Sequence, residues 1–176
     1  MSRCVYPASV FCIARKLVFV IVSDHTANSS GRDNITVSEY RVPLFLYSTG
    51  RISPGRIDTL CSQIDVAPTV MGLLGLPYRS RFFGEDILKM DRTRGRALLS
   101  NYHGLGLYRD DRLTILDLQK SVEGFSVNPT IFDQTRIEVS DADLLDTLGY
   151  YQTASAIMKS KQLANLSAHT QKGDRR

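Results

Sequence analysis

Residues 17–23, Leu-Val-Phe-Val-Ile-Val-Ser, form an uninterrupted apolar run that ends directly at Asp24 and His25. A run of this length predicts a strand buried on both faces, as in a parallel sheet. Ligands of open α/β sheets bind beyond the carboxyl ends of the strands. There this chain places a carboxylate and an imidazole, both good ligands for a divalent cation. An α/β metalloenzyme normally carries much more chain ahead of such a pair. The expectation is therefore the C-terminal part of a metal-dependent enzyme, with the other side of its site supplied elsewhere.

The bulk properties narrow the alternatives. With 176 residues, one domain is the default. A hydrophobic content of 43% with 23% charged residues excludes wholesale disorder. The net charge of +4 is small and dispersed, and the densest basic stretch, residues 79–96, also holds Glu85, Asp86 and Asp91. It reads as a mixed solvated surface. No interleaving of aromatic and basic residues appears, so a nucleic-acid partner is not expected. Cys4, Cys12 and Cys61 form no closely spaced pair and are odd in number. This excludes a disulfide framework and a cysteine-rich zinc site. Cys61, among Leu60, Ile64 and Val66, is expected to be a buried, inert thiol.

The N-terminal residues are apolar, but Ala14 is followed by Arg15 and Lys16 rather than by a cleavage site of small residues. The same pair interrupts any span of ~20 apolar residues. No export signal or anchor is expected from the sequence itself.

The remaining elements follow from periodicity and punctuation. Residues 26–41 are polar and read as a long loop of functional length. Residues 42–48 form a second apolar run, with Pro43 near its start as suits a strand's first residues. Asp65 is placed to cap a helix whose apolar face would be Val66, Val70, Leu73 and Leu74, stopped by Gly75 and Pro77. Residues 97–102, 104–108 and 112–118 predict strands, the last two joined by a tight turn at 109–111. They make a small antiparallel meander added to a parallel sheet. Ser140 and Asp143 approximate a capping box opening a long helix, with Leu144, Leu145, Leu148, Tyr151, Ile157 and Met158 as its packing stripe. The chain turns polar from about residue 160.

Four ordered segments carry a resemblance. They are Phe19-Val-Ile-Val-Ser-Asp-His25, Tyr40-Arg-Val-Pro-Leu-Phe-Leu-Tyr47, Ser62-Gln-Ile-Asp-Val-Ala-Pro-Thr-Val-Met-Gly-Leu-Leu-Gly75 and Phe82-Phe-Gly-Glu-Asp-Ile-Leu88. Together they resemble the C-terminal part of a sulfatase-type catalytic domain in the alkaline phosphatase superfamily. The nearest branch by this likeness is the lipoteichoic acid synthase and phosphoglycerol transferase group. The likeness is close over residues 17–88 and looser to 118. It implies an α/β fold: a partial alkaline-phosphatase-like sheet with a small antiparallel C-terminal meander and a C-terminal helix. The implied division is an unmatched segment 1–16, a sulfatase-like part 17–128, and a C-terminal helix and tail 129–176.

The resemblance also implies chemistry. In this family a divalent metal, Mn²⁺ or Mg²⁺ in the transferase branch, is held by an acidic residue, a threonine nucleophile and an Asp-His pair. Asp24 and His25 match that pair. The acidic ligand and the nucleophile are expected upstream of this chain, so no catalytic nucleophile is assigned here, and Thr26 does not match its place. Arg32, with Arg41 at the far side of the polar loop, is a candidate for an anionic head group. His103, between two strands, is expected to be structural or exposed rather than a ligand. The implied substrates are lipid-linked or glycan phosphodiesters or sulfate esters. The implied setting is a bacterial inner membrane enzyme with an extracytoplasmic catalytic domain. This chain, lacking a clear signal or anchor, would be cytoplasmic if it stands alone. It is expected to be inactive alone. Two readings compete: a non-catalytic module that complements a separately encoded N-terminal half, and an unrelated α/β domain with a chance Asp-His pair.

Overall fold

The computed structural model describes residues 17–26 and 34–160. Segment 1–16, Arg32, Cys4, Cys12 and the polar tail from residue 161 lie outside the described residues.

Two antiparallel sheets organise the chain. The first pairs β1 (Phe19–Val22) with β2 (Leu44–Tyr47). The second is a five-stranded meander in sequence order: β3 (Ala97–Ser100), β4 (Gly104–Arg109), β5 (Arg112–Asp117), β6 (Val122–Val127) and β7 (Gln134–Ile137). Helix α1 (Val66–Leu74) lies between the sheets in sequence, and α2 (Asp141–Lys159) follows the second. Single 3-10 turns occur at Val37–Tyr40, Gln63–Asp65 and Arg92–Arg94.

The mixed α/β architecture, the antiparallel meander and the C-terminal helix match the sequence reading. The placement of the first strand does not. No parallel pairing occurs among the described residues, and β1 is exposed rather than buried on both faces. The apolar run is real, but no described element covers one of its faces. The meander is also larger than expected, because Gly124 and the polar residues of β6 and β7 hide their strand character. β7, lying beyond residue 128, pairs with β6 from Gly124–Ile137 to Val127–Gln134.

The core forms on one face of the meander. Leu99, Tyr108, Leu113, Ile115 and Val127 meet Ile35 and Val37 there, with Phe125 and Phe132 packed alongside. The polar loop is thus anchored by apolar residues at its end. Gln134 accepts from the Val37 amide at 2.8 Å and donates to the Ile35 carbonyl at 3.3 Å, which fixes this covering segment to β7. Leu105 and Leu116 on the opposite face meet Leu148 and Tyr151 of α2 along a groove. The Tyr151 hydroxyl lies 2.9 Å from the Leu99 carbonyl and 2.8 Å from that of Gly106, bridging α2 to β3 and β4. Ser140 caps α2 as expected, accepting from the Asp143 amide at 3.2 Å. The packing stripe is corrected: Leu145 and Met158 are exposed, and Thr147 is the buried residue. Leu148 and Tyr151 face the sheet, and Asp143 and Asp146 bond to Arg112 and Arg109 of its strands.

Helix α1 is also corrected. Pro68 and Thr69 are buried, whereas Val66, Val70, Leu73 and Leu74 are half-buried. Its end is as expected. Gly75 has φ 66°, and the bonds from Gly75 N to Gly72 O and from Leu76 N to Met71 O close the helix.

The stretch at residues 79–96 holds a further surprise. Arg96 is not on the surface but fully buried, with two hydrogen bonds to the equally buried Asp65. Asp65 also accepts from the Ser62 amide at 2.8 Å and the Glu85 amide at 2.8 Å. It therefore closes a capping box begun by Ser62 and binds three segments at once. Gly84 is needed for this approach, since a Cβ there would collide with the Ile64 carbonyl.

Candidate metal centre

Asp24 and His25 follow β1 after one intervening residue, at the strand's carboxyl end as the sequence predicts. Their backbone is clamped by Gln63. Its side-chain amide donates to the Ser23 carbonyl at 2.7 Å and to the Asp24 carbonyl at 3.0 Å. The 3-10 turn that leads into α1 therefore fixes where the pair stands.

The two side chains converge. The His25 amide donates to Asp24 Oδ1 at 3.0 Å, and His25 Nε2 lies 3.4 Å from Asp24 Oδ2. His25 Nδ1 lies 2.9 Å from the Thr26 carbonyl oxygen. With Nδ1 donating to that carbonyl, Nε2 is the ring nitrogen beside the Asp24 carboxylate. Adjacent donors on a cation bound at ~2.1 Å stand roughly 3.0–3.4 Å apart. The observed spacing therefore fits two neighbouring ligands of one metal. The backbone carbonyl on Nδ1 is also the kind of partner that orients a ligating histidine.

The donor set is partial. Asp24 is 86% and His25 65% exposed, so both are open to an incoming group. Among the described residues no cluster of three His, Cys, Asp or Glu side chains is formed. Two donors leave the other positions of a divalent cation to water, and affinity falls accordingly.

The pair opens onto a cleft of about 740 Å³. Tyr40, Arg41, Ser62, Asn101 and His103 line it too. The Arg41 guanidinium sits 4.3 Å from the centre of the Phe132 ring, a cation–π contact. The Tyr40 hydroxyl donates to the Ser100 carbonyl at 2.9 Å, and burial followed by the nearby Glu39 charge raises its pKa. Thr26 donates its hydroxyl to the Glu39 carbonyl, so that oxygen is committed to holding the loop. His103 is exposed, on a turn fixed by Asn101, whose side chain accepts from the amides of His103 and Gly104 at 2.9 and 2.8 Å. Cys61 is half-buried, and burial, then Asp65, pushes its thiol up against the opposing pull of Arg96. That suits the inert thiol expected of it.

The sequence reading missed Gln63 and the Asp65–Arg96 pair beneath it. Burial would lower the Arg96 pKa, but the Asp65 carboxylate together with Tyr150 outweighs it and holds the guanidinium above its ordinary value. A polar residue two places before Asp65 was the only available sign of the Gln63 clamp.

Residues 13–76 match the family model for sulfatases. The fold is similar to that of a protein in the alkaline phosphatase superfamily from Vibrio parahaemolyticus, with a TM-score of 0.77 and 21% identity over 83% of this chain. It is also similar to Ps i-CgsB, with a TM-score of 0.58 and 16% identity over 84% of this chain. The chain spans 36% and 38% of the lengths of those two structures. The sulfatase match is confined to that segment, and the architecture is similar to part of each of those two folds. Enzymes of the sulfatase type generally use divalent metals.

Proposed function

We propose that this chain carries the Asp24–His25 side of a divalent-metal centre in a phosphoglycerol transferase or sulfatase-like hydrolase. The observation that carries the reading is the pair of donor atoms 3.4 Å apart at the end of β1, open to the cleft. One carboxylate oxygen and one imidazole nitrogen suit Mn²⁺ or Mg²⁺, with Mn²⁺ the better match to a nitrogen ligand. Bound there, such a cation lowers the pKa of a coordinated nucleophile and neutralises charge on the group being transferred. Asp24 and His25 would hold it, Gln63 fixes their backbone, and Arg41, among the cleft-lining residues, would meet an anionic ester there. Arg32, in the same loop, is proposed for the same role.

The proposed substrates are phosphodiesters or sulfate esters on a lipid or glycan, and the proposed setting of the whole enzyme is the outer side of an inner membrane. No helix among the described residues is long and apolar enough to cross a membrane. On this reading the nucleophile and the remaining acidic ligand are expected outside residues 1–176, and these residues by themselves are expected to be inactive. Incubation of the purified chain with bis-p-nitrophenyl phosphate and Mn²⁺ tests this. Release of nitrophenolate should equal the metal-only blank. Metal-dependent turnover that disappears in Asp24→Ala would contradict it.

A second reading is that the chain is a non-catalytic module completing a separately encoded N-terminal half. The open apolar face of β1 and β2 favours it. Co-expression with such a half should give a co-purifying pair, and separate elution rules it out.

A further inference from the structure

The β1–β2 pair has one face made wholly of large apolar side chains. Phe19 stands opposite Tyr47 and Ile21 opposite Phe45, so these four share a face, joined by Leu17. Phe19 is 49% exposed, Tyr47 57%, and Ile21 and Phe45 60% each. The Phe19 and Tyr47 rings touch, with centroids 6.1 Å apart. On the other face Val20, Leu44 and Leu46 are half-buried and Val22 is 39% exposed. Two strands of four residues with an open apolar face do not hold themselves in water. Contiguous exposed apolar surface of this kind marks an interaction site.

We infer that this face is covered by the remaining part of the sulfatase-type domain, whether joined to this chain or made separately. The inference rests on the functional reading above. Three observations select this occupant over a second copy of the chain. The sulfatase match, residues 13–76, contains both strands. The matched structures extend well beyond this chain, which covers 36% and 38% of them. Asp24 and His25, at the end of the same β1, form no cluster of three with other described donors, and a body seated on β1 is placed to bring the rest.

Photo-crosslinking in the cells that make the protein tests this. Phe45→benzoylphenylalanine places the probe on the face, and Leu118→benzoylphenylalanine, at an exposed turn of the other sheet, is the control. The expected adduct at position 45 links to peptides of sulfatase-type sequence outside residues 1–176. It should be absent at position 118 and lost when Ile21→Asp is added. An adduct with a second copy of this chain, or none above the control, would overturn the inference. The adduct should survive Asp24→Ala with His25→Ala. Should it form while Mn²⁺ leaves Asp24 and His25 untouched in the complex, docking stands and the metal reading fails. Should Mn²⁺ reach the pair without an adduct, the reverse holds.

Discussion

Arg96 grips Asp65 through two hydrogen bonds, 2.8 and 3.0 Å long, with both side chains withdrawn from solvent. The pair sits beneath the turn whose Gln63 clamps the backbone of Asp24, and Arg96 also donates to the Phe83 carbonyl at 3.0 Å. It ties β3, the capping turn of α1 and the segment at 83–85 into one unit under the candidate site.

Removing one member leaves the other as an unpaired buried charge. Arg96→Met should therefore destabilise the chain by about 3–5 kcal/mol, read as a drop in urea midpoint. Arg94→Met removes a solvent-exposed ion pair with Glu85 and should cost less than about 1 kcal/mol. Equal effects of the two would contradict the structural role given to Arg96.

Thr69 makes the second buried link. Its hydroxyl donates to the Asp65 carbonyl at 2.6 Å and accepts from the Ile87 amide at 2.9 Å. Thr69→Val leaves that buried amide unpaired, at a cost of about 1–3 kcal/mol. Thr69→Ser keeps both bonds and loses one methyl, about 0.8 kcal/mol. The order of midpoints should be wild type, then Ser, then Val. A valine variant as stable as the serine one would contradict the bonding described.

The contrast between these residues and their sequence signals is instructive. The place of Asp24 and His25 just beyond β1 was legible because a strand's length and its polar stop are local properties. The turn at 109–111 was legible too, and Asp110 and Asp111 both take positive φ there. The burial of Arg96 was not legible, because its partner lies 31 positions away and its neighbours are other arginines. The exposure of β1 was misread for a related reason. An apolar run reports that a strand is meant to be covered, not whether this chain supplies the cover. β6 was missed because Gly124 and Glu123 break the apolar signal of a strand that pairs along its whole length.

Alkaline pH should weaken the second sheet. Burial first, then Asp111, pushes the Tyr108 pKa up to about 12, and burial pushes Tyr151 up to about 12 against the opposing carbonyl bonds. The unfolded tyrosines ionise near ~10. Between these values the unfolded chain loses protons that the folded chain retains, so stability falls as pH rises from about 10 to 12. It is fully present below about 10. The urea midpoint should fall across that window, and Tyr151→Phe should flatten the fall. An unchanged slope in the variant would show that Tyr151 does not carry the effect.

Titration of the isotopically labelled chain with Mn²⁺ tests the central claim most directly. Paramagnetic broadening should appear first at the amides of residues 23–26 and at the His25 ring. Weak affinity is expected, because two protein donors leave the rest of the shell to water. Asp24→Ala with His25→Ala should abolish the broadening, while the urea midpoint should hold within about 0.5 kcal/mol because both side chains are exposed. Broadening centred on other carboxylates, or none at Asp24 and His25, would contradict a metal centre at the end of β1.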